Sequence, residues 1–187
     1  MAGPREALAI GVFVAAAAAP ALSQPFAVVG ACRNGQPNGA YELRMEDGRL
    51  RVAGAFVYGR KTGTFIFWSE SGARIAVIPY DDDARSGTVA LWYVSTGAGV
   101  ETGRRLEAPY VENRLNGLVR SWYPDGARKA EDRYEQGELV EARGWTEAGT
   151  PLPEADARNL AAGDADANQR FCDSLLALVR ENLPRCE

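Results

Sequence analysis

Trp68, Trp92 and Trp122 each follow a glycine by five residues, the glycines being Gly63, Gly87 and Gly117. An indole offers a flat, electron-rich face that stacks on guanidinium groups and other planar surfaces, which is binding chemistry and not bond-breaking chemistry. If the segments around them are β-strands, side chains alternate. Trp68, Trp92 and Trp122 then share a face with Ile66, Ala90 and Arg120, while Phe65, Phe67, Val89, Leu91, Val119 and Tyr123 point the other way. Read as a site, Trp68, Trp92 and Trp122 with Arg44 and Arg120 form a face for a carbohydrate or anionic partner. Read as structure, the same side chains pack along a sheet and against helices. One helical layer cannot cover both faces, and exposed aromatic surface marks binding sites.

Other chemistries are poorly served. The chain of 187 residues has no histidine, which removes Ser-His-Asp and Cys-His nucleophilic systems and histidine-ligated metals together. Its three cysteines, Cys32, Cys172 and Cys186, lack C-x-x-C spacing, so no thiolate metal site is expected. Asp81-Asp82-Asp83 clusters oxygen ligands of the kind calcium takes but lacks the spacing and glycine of a calcium loop, and it reads as a solvated turn. Asp and Glu are abundant, yet nothing singles out a catalytic pair. No catalytic residue, metal or cofactor is assigned, and a non-enzyme is expected. The net charge of −4 provides no bulk attraction to nucleic acid.

The elements that would position the tryptophans come from a repeat. Gly39, Gly63 and Gly87 are 24 residues apart, and Gly117 follows after six more than that step; Gly48, Gly72 and Gly126 sit nine residues after their unit glycines. Each unit reads as a hairpin: alternating strands around Glu46-Asp47-Gly48, Glu70-Ser71-Gly72 and Pro124-Asp125-Gly126, with a longer turn at Ser95-Thr96-Gly97-Ala98-Gly99 accounting for the extra residues. The fold class is therefore mainly β, an antiparallel meander of stacked hairpin repeats of about nine strands with C-terminal helices. Residues 24–38 read as a turn-rich lead-in, 39–150 as the repeat domain and 151–187 as a helical cap. Within the cap, a short helix is expected near 154–162 and a longer one near 166–182, with Cys172, Leu175, Leu176, Val179 and Leu183 on its apolar stripe.

Residues 1–23 read as a signal peptide: Arg5, an apolar run from Ala7 to Ala19, then Pro20 and Ala21-Leu22-Ser23. That run is shorter than the roughly 20 residues a spanning helix needs, so after processing no integral membrane span is expected. Cleavage removes one Arg and one Glu, leaving the net charge unchanged. A retained anchor, or lipidation of Cys32 within Val29-Gly30-Ala31-Cys32, are the competing readings. An oxidising compartment lets cysteines pair. Ten helical residues from Cys172 to the helix end advance about 15 Å, and the few after Asn182 would have to double straight back to join Cys172 to Cys186, so Cys32 to Cys186 is the expected bridge, with Cys172 a buried thiol. Cys32 to Cys172 is the next choice. The bridge demands that the chain ends approach, which conflicts with a strictly extended meander.

The unit G-x-x-x-x-W-x-x-x-G, best seen in G-T-F-I-F-W-S-E-S-G and G-L-V-R-S-W-Y-P-D-G, resembles the bacterial variant of the MORN repeat, and the chain looks most similar to the YwqK-like antitoxin family over residues 33–150. Arg44 replaces the aromatic in the first unit, and Tyr80-Asp81-Asp82-Asp83 replaces a glycine-containing turn in the second. The resemblance implies a binding protein, in some members an immunity protein that masks a toxin, and carries over no catalytic residues. The expected function is an exported binding or scaffolding module, periplasmic or secreted, whose partner is a protein or envelope component. The alternatives are an antitoxin masking an exported toxin and a carboxylate-dependent envelope hydrolase.

Overall fold

Each hairpin strand places its large apolar residues on alternate positions, and in the computed structural model, which describes residues 26–95 and 100–187, those positions converge on one face of a single antiparallel sheet. The strands are β1 (Phe26–Arg33), β2 (Gln36–Met45), β3 (Leu50–Val57), β4 (Arg60–Trp68), β5 (Arg74–Asp81), β6 (Ala84–Arg85), β7 (Gly87–Val94), β8 (Glu101–Val111), β9 (Arg114–Leu115), β10 (Gly117–Trp122), β11 (Arg128–Glu135) and β12 (Glu138–Gly144). Ten lie side by side in the order β1-β2-β3-β4-β5-β7-β8-β10-β11-β12; β6 extends the pairing of β5, and β9 that of β8. One helix, α1 (Glu154–Glu181), follows.

Two kinds of turn alternate along the meander. At one edge, Met45, Ser69, Tyr123 and Thr146 each donate their N–H to the carbonyl four residues on, around Gly48, Gly72, Gly126 and Gly149, all with positive φ. At the other edge, two-residue turns at Asn34-Gly35, Tyr58-Gly59, Asp82-Asp83, Glu112-Asn113 and Gln136-Gly137 hold both residues at positive φ, the mirror-image turn that matches strand twist. Neighbouring tips are linked: Gly59, Asp83, Asn113 and Gly137 donate to the carbonyls of Pro37, Lys61, Arg85 and Leu115. The repeat glycines Gly39, Gly63, Gly87 and Gly117 follow these turns with φ of +110°, +67°, +113° and +122°, a region costly for other residues. That requirement is what imprints the repeat on the sequence.

The core centres on Tyr41, Leu43, Val52, Phe65, Phe67, Ile78, Val89 and Leu91. Phe56 meets Tyr41 and Phe65 edge-to-face, and Phe65 meets Tyr80 likewise, at ring separations of 5.4–5.5 Å. Cys172, Leu175 and Val179 of α1 close over this cluster. At the other end, Ala157 and Ala161 pack on Ala142, and Gly144 lets the helix approach β12: a Cβ there would stand 3.0–3.1 Å from Leu152 and Leu160.

Three expectations are revised. The segment 24–38 is no mere lead-in, because Phe26–Arg33 is the first strand, paired with β2 from Phe26↔Met45 to Arg33↔Gln36. Ten long strands replace nine. The cap is one helix of 28 residues in place of two, continuous through Gly163. The expected signal peptide 1–23 and the turn residues Thr96–Gly99 lie outside the described residues.

The single helix also removes the conflict over the chain ends. Twenty-eight residues extend about 42 Å, and ten strands at about 4.8 Å spacing span about 43 Å. Running from β12 back across the sheet, α1 delivers the C-terminus to β1: the Tyr41 hydroxyl donates to the Asn182 carbonyl at 2.9 Å, Pro184 packs on Gly30, and Cys186 is bonded to Cys32 across 154 residues. The sheet can stay extended because the helix makes the return journey.

Candidate functional site

The helix covers one face; among the described residues nothing covers the other. On that face, β-bulges follow Phe67, Leu91 and Ser121 and set the register in which Trp68 pairs with Arg74, Trp92 with Arg104 and Trp122 with Arg128. An arginine thus sits opposite each of these tryptophans within its hairpin, and Arg74 and Arg128 also lie beside the next tryptophan along the sheet. The Arg74 guanidinium lies 4.0 Å from the Trp92 ring centre, Arg104 lies 4.4 Å from the same ring, and Arg128 lies 5.1 Å from Trp145. The result is a ladder of indoles and guanidinium groups in strand register from Trp68 to Trp145, stacked at Trp92 and Trp145.

Trp68, Trp122 and Trp145 are positioned from behind. Their backbone carbonyls accept hydrogen bonds from long side chains of the preceding hairpin: Arg51 to Trp68 at 2.6 Å, Tyr93 to Trp122 at 3.0 Å and Tyr123 to Trp145 at 2.8 Å. Arg51 is itself buried, and desolvation pulls its pKa below the usual arginine value. Such anchors fix the strand ends, so the ladder is rigid at its turn edge.

Beside the ladder a second row crosses the whole sheet by direct pairing: Val29, Glu42, Ala53, Ile66, Val77, Ala90, Glu107, Arg120, Glu131 and Arg143. It is apolar over β3 to β7, charged at Glu42 on one side and at every position from β8 to β12 on the other. Arg120 approaches Glu131 at 3.8 Å, and Arg44 pairs with Glu42 at 2.6 Å. These are half-exposed pairs of little worth to stability, which leaves their charges available to an incoming partner.

The five residues singled out in the sequence, Trp68, Trp92, Trp122, Arg44 and Arg120, therefore lie on one face, but not equally. Trp92 exposes only 7% of its surface, sandwiched between Arg74 and Arg104, and is the covered centre of the ladder. Trp68 and Trp122 are half-buried, and Arg44 and Arg120 are accessible. Arg74, Arg104, Arg128 and Trp145 escaped the sequence reading. The signals for them were the repeated Gly72-Ala73-Arg74 and Gly126-Ala127-Arg128, and a glycine four residues after Trp68, Trp122 and Trp145 alike.

The acidic run is engaged elsewhere. Asp82 pairs with Arg60 at 2.6 Å, and Asp83 accepts from the Lys61 backbone N–H at 2.9 Å and pairs with its ammonium group, which ties one turn to the next. Among the described residues no cluster of three or more acidic or cysteine side chains is arranged to hold a metal ion. Compared with protein-family models and with curated proteins, the chain matches none.

Proposed function

We propose that the protein is an exported, non-catalytic binding or scaffolding module whose helix-free face, with the tryptophan–arginine ladder at its centre, docks a protein or envelope component. The observation that carries this reading is the ladder itself. Indole and guanidinium groups recur in register across several hairpins, stacked at Trp92 and Trp145, on a face that no other described element covers, beside a row with accessible Arg44 and Arg120. Arginine and tryptophan are the side chains most enriched where partners bind tightly. The MORN-like spacing of the hairpins supports the same class of role, as stacked repeats present broad surfaces. Export to the periplasm or beyond is supported by the features of residues 1–23 and by the Cys32–Cys186 disulfide.

The hydrolase alternative needs an acidic pair across a cavity. Asp132 and Asp164 do line one cavity under α1, but Asp164 is held by Lys129 at 2.6 Å, which occupies the second carboxylate. Among the described residues no helix is long and apolar enough to cross a membrane. The test is affinity capture of tagged protein from the native envelope with mass spectrometry, comparing wild type with an Arg44→Glu/Arg120→Glu variant. Selective loss of a captured component, with an unchanged circular dichroism spectrum, supports docking on this face. Equal capture by both refutes it, and a toxin as the captured component moves the reading to immunity.

A further inference from the structure

The two layers do not fit tightly everywhere. Where α1 passes over β8, β10 and β11 its inward residues are Ala161, Asp164, Ala165 and Asn168, too small and polar to fill the gap, and a cavity of about 320 Å³ remains between helix and sheet. That volume falls at the lower end of the range for small-molecule sites. Two of the polar side chains that line it each keep one oxygen without a hydrogen-bond partner. Asp132 and Ser121 expose 4% and 6% of their surfaces, and both Asp132 Oδ1 and Ser121 Oγ lack any hydrogen bond. Unmade hydrogen bonds at buried groups are costly and infrequent in folded proteins. The carboxyl of Asp132 is pushed up to about 6, chiefly by burial, with the Arg143 backbone N–H opposing and Asp164 adding to the rise. A cation brought to Asp132 would relieve that burden.

The far end of the same cavity has the opposite sign. Arg85 and Arg114 line its mouth beside Asn113, and neither forms an ion pair among the described residues. Arg85 is braced over the Tyr110 ring at 4.4 Å, and its backbone N–H is held by Asn113 Oδ1 at 2.8 Å. Between the two ends run Tyr110 and Tyr134. The turn at Gln136, beside Arg114, stands four strand steps beyond Asp132, about 13 Å along β11.

We propose that this cavity is a binding site for a short zwitterionic peptide of about two residues, its ammonium group on Asp132 and Ser121 and its carboxylate on Arg85 and Arg114. An extended dipeptide spans about 7 Å, enough to bridge the acidic and basic ends when the rim arginines turn inward, whereas a free amino acid is shorter by a residue. The site lies on the helix side of the sheet and is independent of docking on the ladder face.

Isothermal titration of the purified protein with L-alanyl-L-alanine tests it, alongside N-acetyl-alanyl-alanine, alanyl-alanine amide and free alanine. Saturable binding of the dipeptide is expected, weakened at least tenfold by acetylation, by amidation, and in the single-residue ligand. Asp132→Asn should abolish the penalty for acetylation, and Arg114→Gln, a change at the accessible rim that leaves the fold intact by melting temperature, should abolish the penalty for amidation. No binding at 10 mM dipeptide, or equal binding of the acetylated or amidated forms, overturns the proposal, as does unaltered selectivity in both variants.

Discussion

Breaking the Cys32–Cys186 bond is the most informative perturbation, because it isolates the one covalent tie between the first strand and the tail behind the helix. The bond closes a loop of 154 residues. Loop-closure entropy for such a length is about 17 cal/mol/K, or about 5 kcal/mol at room temperature. With an unfolding entropy of about 2.1 cal/mol/K per residue over roughly 160 residues, that corresponds to a fall in melting temperature of about 15 °C. The reduced protein should nevertheless fold, since Tyr41, Pro184 and the apolar stripe of Cys172, Leu175 and Val179 still bring the tail to β1 and β2. The assay compares thermal melts of wild type, reduced wild type and a Cys32→Ser/Cys186→Ser variant, with peptide mapping under non-reducing conditions. Cys172 supplies an internal control: its thiol is buried and pushed up to about 11, mainly by desolvation, so it should resist alkylation until the protein unfolds. Coincident melts with and without the bond, or alkylation of Cys172 in the native state, would refute the reasoning.

Trp92→Ala should cost about 3–5 kcal/mol, because the indole is covered on both faces by guanidinium groups, and chemical denaturation measures it; a loss below 1 kcal/mol would mean the sandwich is not formed in solution. Gly54→Ala should destabilise by about 1–3 kcal/mol, as a Cβ there would come within 2.6–2.7 Å of the fully buried Phe65 ring, while Gly163→Ala, where a Cβ meets nothing, should stabilise the helix by up to about 1 kcal/mol. Asp132 keeps its proton up to about 6 in the folded state and only to about 3.8 unfolded, so the folded state binds more protons between these values and stability from this group falls as pH rises through that window. Asp132→Asn should flatten that part of the stability–pH curve, and a wild-type curve that rises there and is unchanged by the substitution would show the carboxyl to be ionised without penalty.

What was legible in the sequence follows from which physical constraints are local. Positive φ is a demand on a single residue, so the glycines at 39, 63, 87 and 117 announce the hairpins directly, and the alternation of Phe65 and Phe67 with Ile66 and Trp68 assigns the faces. β1 was missed because an edge strand that exposes almost every residue, including Val28 and Val29, has no alternation to read; its strand character comes from pairing with β2. The arginines of the ladder were missed for a related reason. Trp68 meets Arg74, Trp92 meets Arg104 and Trp122 meets Arg128 only after a bulge shifts the register, and a bulge is a property of two strands together.

The helix shows how such a non-local term can invert a local reading. Gly163-Asp164 and the small residues around it looked like a break between two helices, since glycine costs about 1 kcal/mol in a helix interior and the apolar stripe lapses there. The chain stays helical because the sheet supplies partners for those polar residues: Lys129 binds Asp164 at 2.6 Å, and Arg105, braced against Phe171, donates to Asn168 at 2.8 Å. The lapse in the stripe is thus matched by polar residues on the strands beneath, with Ser121 and Asp132 among them. A stretch selected only for packing would carry leucine or valine at 161, 165 and 168 over apolar strand residues. Small and polar helix residues set over Ser121 and Asp132, where larger apolar side chains would close the core, leave the cavity that the proposed dipeptide would fill.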